Sequence, residues 1–299
     1  MNISTPTLLV TGASGHLGRA VIAHLLDTVG IPADRIIATS RTPATLADLA
    51  ARGVTVRAAD FDDPASLEAA FTGADRLLLV STDALLEPGK RLQQHRTAVQ
   101  AAVVAGVQHV VYTSLPVPET SKVSFAPDHL GTEQALAASP LTWTVLRNAW
   151  YFENLLHTVP GALAAGQWFS AAGDGGIAYI ARDDLARAAA IALAAGDTRK
   201  RTLTLTGTQA WTARQLAARI SSATGKPLEV VDVSLEQLTE GLQAHGFPPA
   251  LAAVFASFDA ATAAGDLGGI TDDYAQLTGR APESFDAWLL RNGAGLSRA

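Results

Sequence analysis

The 299-residue sequence contains no cysteine, which excludes disulfide frameworks, cysteine-ligated zinc, iron–sulfur clusters and thiol nucleophiles. Cations are scarce: 22 Lys and Arg against 28 Asp and Glu leave a formal net charge of −6. Binding along a nucleic-acid backbone needs clustered Lys and Arg, so no nucleic-acid partner is expected. No run is long and apolar enough to span a bilayer, so no membrane partner is expected either. The histidines show no metal-ligand spacing and no His-Glu-x-x-His occurs, so no metal is expected. The opening Met1-Asn2-Ile3-Ser4-Thr5-Pro6 leads straight into an apolar run without the layout of a secretory signal, and the expected location is the cytoplasm.

What is present is globular in character: 48% of residues are hydrophobic and 17% charged, enough to bury a large core. Residues 7–11 (TLLVT), followed by Gly12, read as a buried parallel strand. Leu17, Val21, Ile22, Leu25, Leu26 and Val29 then form the stripe of an amphipathic helix. Further strands are expected at 35–39, 54–58, 76–80, 109–114 and 142–147. Thr42-Pro43 and Asp63-Pro64 each combine an N-cap residue with a proline in the first helical turn, and Gly53 and Gly73 close those helices. Helices are also expected at 89–105 and 127–138.

This alternation predicts an α/β fold, a Rossmann-type doubly wound parallel sheet. After Asn154 the rhythm changes. Residues 173–176 (GDGG) read as a turn, 183–195 as an Ala-rich helix and 202–206 as one more sheet strand. Beyond Gly207, helices are expected near 212–224, 234–244 and 248–264, with a strand near 228–233. The expected partition is a nucleotide-binding domain of residues 1–154, joined again by 177–207. A smaller, mostly helical C-terminal substrate cap comprises 155–176 and 208–299.

The loop Gly12-Ala13-Ser14-Gly15-His16-Leu17-Gly18 lies between a predicted strand and a predicted helix, the context in which such a pattern binds a dinucleotide. Gly12 permits the tight turn, Gly15 lets the backbone approach the pyrophosphate, and Gly18 lets the helix pack on the strand. Where an NAD-binding strand would place a carboxylate some 20 positions later, the chain reads Thr39-Ser40-Arg41-Thr42. A hydroxyl followed by Arg suits the 2′-phosphate of NADP(H), with Arg19 a candidate to assist. Asp60 and Phe61 are positioned to flank the adenine. Ser81, Thr82 and Ser114 stand at carboxyl ends of strands, where an open α/β sheet borders its ligand crevice. Gly12-Ala13-Ser14-Gly15 is not a nucleophile elbow.

The glycine spacing resembles the short-chain dehydrogenase/reductase superfamily, which normally carries Tyr-x-x-x-Lys on the helix after the fifth strand. This chain has four tyrosines, Tyr112, Tyr151, Tyr179 and Tyr274, and none has Lys four residues later. The helix instead reads Asp128-His129-Leu130-Gly131-Thr132-Glu133. That departure, with Asp60-Phe61, Tyr112-Thr-Ser114, Leu146-Arg-Asn-Ala-Trp-Tyr-Phe-Glu-Asn154, Ala172-Gly-Asp-Gly175 and Leu277-Thr-Gly-Arg280, resembles the NmrA-like atypical short-chain reductases. Within them the sequence is most similar to the flavin-free type 2 NADPH:quinone oxidoreductases and triphenylmethane dye reductases. The resemblance spans essentially the whole chain.

It implies NADPH binding by residues 12–17, Arg41, Ser81, Thr82 and Asp83, and by Arg147, Asn148, Trp150 and Tyr151, with Arg182 closing over the cofactor. The implied partner is a small-molecule electron acceptor, a quinone or a similar conjugated compound, triphenylmethane dyes included. Hydride addition to a quinone gives a delocalised, weakly basic anion, so no obligatory catalytic acid is required. Tyr151, Asn148 and His129 are candidates for positioning the acceptor oxygen. Trp150, Phe152 and Trp168 are candidates for an aromatic wall, with core packing as the alternative for the first two. His129 is alternatively a helix-surface residue. A non-catalytic NADP(H)-sensing regulator of the NmrA type is the competing function; an isomerase or carbonyl reductase is disfavoured by the lost Tyr–Lys pair. Monomer and homodimer both remain open.

Overall fold

The structure, a computed structural model, describes residues 5–296. Residues 1–4 and residues 297–299 of the expected cap lie outside the described residues. The described chain divides into two compact units. Among the described residues, one comprises 5–114, 128–147 and 185–203; the other comprises 115–127, 148–184 and 204–296.

In the first unit, short runs become strands: β1 (Leu8–Val10), β2 (Ile36–Ser40), β3 (Thr55–Ala58), β4 (Arg76–Leu79), β5 (His109–Ser114) and β6 (Thr142–Asn148). They are fully buried at β1, β2, β4 and β5, whereas β3 is exposed or half-buried along its length. Helices fall between them: α1 (His16–His24), α2 (Ala47–Ala51), α3 (Pro64–Phe71), α4 (Lys90–Val104) and α5 (Ala126–Ala138). Further along come α6 (Leu155–Ala165), β7 (Gln167–Ser170), β8 (Gly176–Ile177), α7 (Arg182–Ala194) and β9 (Arg201–Leu205). The seven-stranded sheet runs β3-β2-β1-β4-β5-β6-β9. The pairings from β3 through β6 are parallel, with Leu9 opposite both Ile37 and Leu77. The order reverses between β1 and β4, and ligand crevices open at the carboxyl ends of strands at such a switch point. A mostly aliphatic core including Leu67, Leu77, Leu79, Val110 and Leu136, with Phe71 and Tyr112, holds this arrangement.

Asp63 caps α3 as its sequence implies, accepting hydrogen bonds from the backbone N–H groups of Ala65 and Ser66. Thr42 makes no side-chain cap. Its own N–H is held by Ser40 Oγ at 3.1 Å, and Pro43–Leu46 forms a 3₁₀ turn leading into α2.

The second unit contains α6, β7 and β8, followed by β10 (Trp211–Thr212), α8 (Ala213–Thr224), β11 (Glu229–Asp232), α9 (Leu235–Ala244), α10 (Pro249–Ala263), α11 (Asp273–Thr278) and α12 (Phe285–Leu296). β7 pairs with β11 in parallel and β8 with β10 antiparallel. Helix α6 carries Pro160 in its interior, an ordinary helix breaker, which hid it in the sequence.

The partition differs from the expected one. Residues 115–127, 148–154, 177–184 and 204–207, expected in the nucleotide-binding half, belong to the second unit. Local periodicity identifies an element, but not the core it packs against. Phe152 and Tyr179 bury with Trp211, Phe285 and Trp288, and Leu115 and Val123 bury with Ala261 and Leu267. Among the described residues, no helix is long and apolar enough to cross a membrane.

Candidate dinucleotide-binding site

Two residues past β1 stands Gly12, whose φ of +61° is a left-handed value suited to glycine. The turn closes where Gly15 N–H donates to the Gly12 carbonyl at 2.9 Å. A Cβ placed on Gly18 would stand 2.4 Å from the Gly12 carbonyl oxygen. Only glycine therefore lets α1 pack this closely on its strand. Gly15 occupies the N-cap of α1 and supplies no side-chain cap, so first-turn N–H groups remain available to an anion.

Within the first unit, a cavity of 270 Å³ adjoins this loop. Gly12, Ser14 and Gly15 line it on one side, with Ser40 and Arg41 from the end of β2. Asp60 and Phe61, which follow β3, and Ser81, Thr82 and Asp83, which follow β4, complete the set of expected residues in its lining. Ala13, His16, Leu17 and Gly18 shape the turn without lining this cavity. Ser40 Oγ lies 3.2 Å from Ser14 Oγ, tying the strand end to the loop. No carboxylate stands at the end of β2, where ribose discrimination occurs.

Arg41 is exposed. Asp62 lies nearby, its carboxyl held below its usual range first by a hydrogen bond from Gln94, with Lys90 and Arg41 adding attraction. Arg19 is engaged elsewhere: its guanidinium bonds Asp48 at 2.6 Å and the Thr45 carbonyl at 2.9 Å. This exposed ion pair ties α1 to α2. Asp60 Oδ1 accepts the Asp62 N–H at 3.0 Å, which turns the chain at the cavity edge.

Ser114 and Arg147, at the carboxyl ends of β5 and β6, form a separate cluster with Glu133. Ser114 Oγ donates to Glu133 Oε1 at 2.6 Å. Arg147 donates Nε to Oε1 at 3.1 Å and Nη2 to Oε2 at 2.6 Å, a two-point grip suited to planar partners. His129 is a correction to both of its expected readings. It is 3% exposed, with Nδ1 2.8 Å from the Tyr112 hydroxyl. It is thus neither a surface residue nor open to an acceptor.

In the second unit, Asn148 is 5% exposed and neither of its amide atoms has a hydrogen-bond partner, an uncommon state for a buried amide. Trp150 is half-buried and packs edge-on against Phe258 at 4.8 Å. Phe152 is 1% exposed, stacks with Tyr179 and packs at a tilt against Phe285; it is core, and Trp168 packs against the same cluster. The Arg182 guanidinium lies 5.5 Å from the Tyr151 ring centroid, a cation–π platform. Its backbone N–H is held by Glu153 at 2.9 Å.

Thr39, Ala59, Val80 and Gln94 also line the cavity. Sequence reasoning missed them because a glutamine in a long polar helix reads as surface. Its contact with Asp62 joins positions 32 residues apart. Among the described residues, no group of acidic or histidine side chains could hold a metal.

The glycine turn, the uncapped start of α1 and the β1/β4 switch point define a Rossmann-type dinucleotide-binding protein. The chain belongs to the NmrA-like family, whose model matches residues 4–289. It is 41% identical over 271 residues to quinone oxidoreductase 2 of Escherichia coli, covering 91% of this chain and 92% of that protein. The crystal structure of the E. coli NADPH-dependent quinone oxidoreductase in complex with NADPH superimposes with a TM-score of 0.90 at 38% identity, covering 97% and 100% of the two chains. Citrobacter sp. triphenylmethane reductase complexed with NADP(H) gives a TM-score of 0.88 at 33% identity, covering 96% and 99%.

Proposed function

We propose that this chain is an NADPH-dependent oxidoreductase acting on quinones or similar conjugated acceptors, triphenylmethane dyes among them. The observation that carries the reading is the cavity in which the glycine loop meets Ser40 and Arg41 with no carboxylate at the end of β2. The residues present fit NADPH: a Gly18 side chain would obstruct the turn, and α1 opens without a side-chain cap. When bound, NADPH supplies the hydride that, with one proton from solvent, converts a quinone to its hydroquinone.

The chain's own residues bind and orient. First-turn N–H groups of α1 receive the pyrophosphate, Ser40 and Arg41 the 2′-phosphate, and Asp60 and Phe61 flank the adenine. Ser114, Arg147, Asn148, Trp150, Tyr151 and Arg182 are assigned to the cofactor and acceptor by resemblance. His129 is engaged by Tyr112 and Glu133 by Arg147 and Ser114, so neither is poised to protonate an alkoxide. An acceptor whose reduced form is a weak base suits such a site, where proximity and orientation do most of the work.

The test is NADPH oxidation, followed by absorbance, with a benzoquinone, a naphthoquinone and malachite green as acceptors. Turnover with one of these is expected. Tight NADPH binding without turnover on any of them would favour the NADP(H)-sensing regulator instead.

A further inference from the structure

Past the end of β4, three successive backbone N–H groups leave the sheet ladder and are accepted by side chains from the turn after β1, from β5 and from α4. Val80 N–H donates to Thr11 Oγ1 at 2.9 Å. Ser81 N–H donates to Thr113 Oγ1 at 2.9 Å. Thr82 N–H donates to His95 Nε2 at 3.0 Å. The chain can therefore splay away from its neighbouring strands without burying unpaired donors, and the splayed residues form one wall of the 270 Å³ cavity.

The third of these bonds dictates the state of the imidazole. A backbone N–H only donates, so His95 Nε2 must carry a lone pair and Nδ1 must carry the proton. Nδ1 in turn lies 2.9 Å from Thr132 Oγ1, and that hydroxyl donates to the Asp128 carbonyl at 2.7 Å. Tyr112 closes the other side, its hydroxyl 3.4 Å from His95 Nδ1. His95, Tyr112 and Thr132 are all 0% exposed. His95 does not line the cavity, so it acts on a ligand there only through the wall it holds. Burial, followed by the nearby Arg91 guanidinium, lowers its pKa to about 3, which keeps the accepting lone pair in place.

We propose that His95 is a positioning residue that fixes the Ser81–Thr82–Asp83 wall and thereby sets dinucleotide affinity without touching the dinucleotide. This rests on the reading of the cavity as the NADPH site. The wall follows β4, whereas Ser40 and Arg41 stand at the end of β2 with β1 between the two strands, so the effect is indifferent to the 2′-phosphate.

Fluorescence titration of the full-length chain with NADPH and with NADH tests this, together with the melting temperature and the KM for a quinone at saturating NADPH. His95→Ala leaves the Thr82 donor unpaired and should weaken both dinucleotides about tenfold or more. The NADPH/NADH ratio and the quinone KM should be preserved. His95→Gln places an amide oxygen where Nε2 stood and should restore most of the affinity, which a merely structural loss would not predict. Should His95→Ala fail to fold, the near-isosteric Thr113→Val, which removes the Ser81 acceptor, should produce the same paired weakening.

Unchanged affinity in His95→Ala, equal losses in His95→Ala and His95→Gln, or a collapsed NADPH/NADH ratio would overturn the proposal. If His95→Ala is unfolded, unchanged affinity in Thr113→Val does so. A wild-type chain that binds neither dinucleotide would instead overturn the underlying reading of the cavity.

Discussion

The two units solve the same burial problem with different chemistry. The first is a mostly aliphatic sheet core in which the buried titratable groups include neutral imidazoles: His95, His109 and His129 are 0%, 0% and 3% exposed. The second packs aromatic rings, with Phe152, Phe285 and Trp288 mutually within 6.0 Å, and uses carboxylates as backbone anchors. Asp184 receives the Glu283 N–H and the Tyr274 hydroxyl, both at 2.6 Å. Glu153 receives the Arg182 N–H and Trp288 Nε1, and Asp259 receives the Ala171 N–H. A repeating parallel sheet satisfies most of its backbone by register alone. Irregular chain has no ladder to supply partners, so acceptor-rich side chains must do so.

The largest effect that would separate the two regions comes from Trp288→Ala. It removes a ring 1% exposed together with its bond to Glu153, and should cost about 3–5 kcal/mol. In hydrogen exchange the loss should appear first in α8 and α12. Uniform loss of protection across the β-sheet as well would show that the two units unfold as one.

Acid should weaken the first unit through its imidazoles. The pKa of His109 is lowered from 6.5 to about 4, chiefly by burial and then by Arg76. The folded chain therefore binds fewer protons than the unfolded chain between those values. Stability is fully present above pH 6.5 and falls as the pH drops toward 4, by about 2–3 kcal/mol for this group. Denaturant titrations at several pH values should show a shallower acid limb for His109→Gln, and an identical limb would refute the assignment.

Gly18→Ala should displace the loop, because its Cβ would fall 2.4 Å from the Gly12 oxygen, and NADPH affinity should drop about tenfold or more. Arg41→Ala should weaken NADPH about tenfold while leaving NADH nearly unchanged; equal losses would argue against 2′-phosphate recognition. The smallest contrast lies at two similar helix starts. Asp63→Ala should cost about 1 kcal/mol, whereas Thr42→Ala should cost under about 0.5 kcal/mol because only Asp63 makes a cap bond.

Legibility in the sequence followed the same division. The strands of the first unit, the Asp63 cap and the glycine turn rest on short-range rules: an apolar run, a cap followed by proline, or a residue able to adopt positive φ. Helix α6 was obscured by Pro160, and α12 by its position among residues packed from distant parts of the chain. His129 resembled a surface residue because helix α5 shows little amphipathic patterning. The Tyr112 hydroxyl that meets it comes from β5, across the interior.

By itself the sequence determined the Rossmann order of elements, the loop at 12–18 and the Ser40–Arg41 edge without a carboxylate. Each depends on the conformational range or chemistry of a few adjacent residues. Tertiary structure decided which core residues 148–154 and 177–184 join, that Arg19 turns to Asp48, and that Thr11, Thr113 and His95 together hold the chain leaving β4. Those outcomes depend on groups brought together from widely separated positions, which meet only when the sheet closes its register.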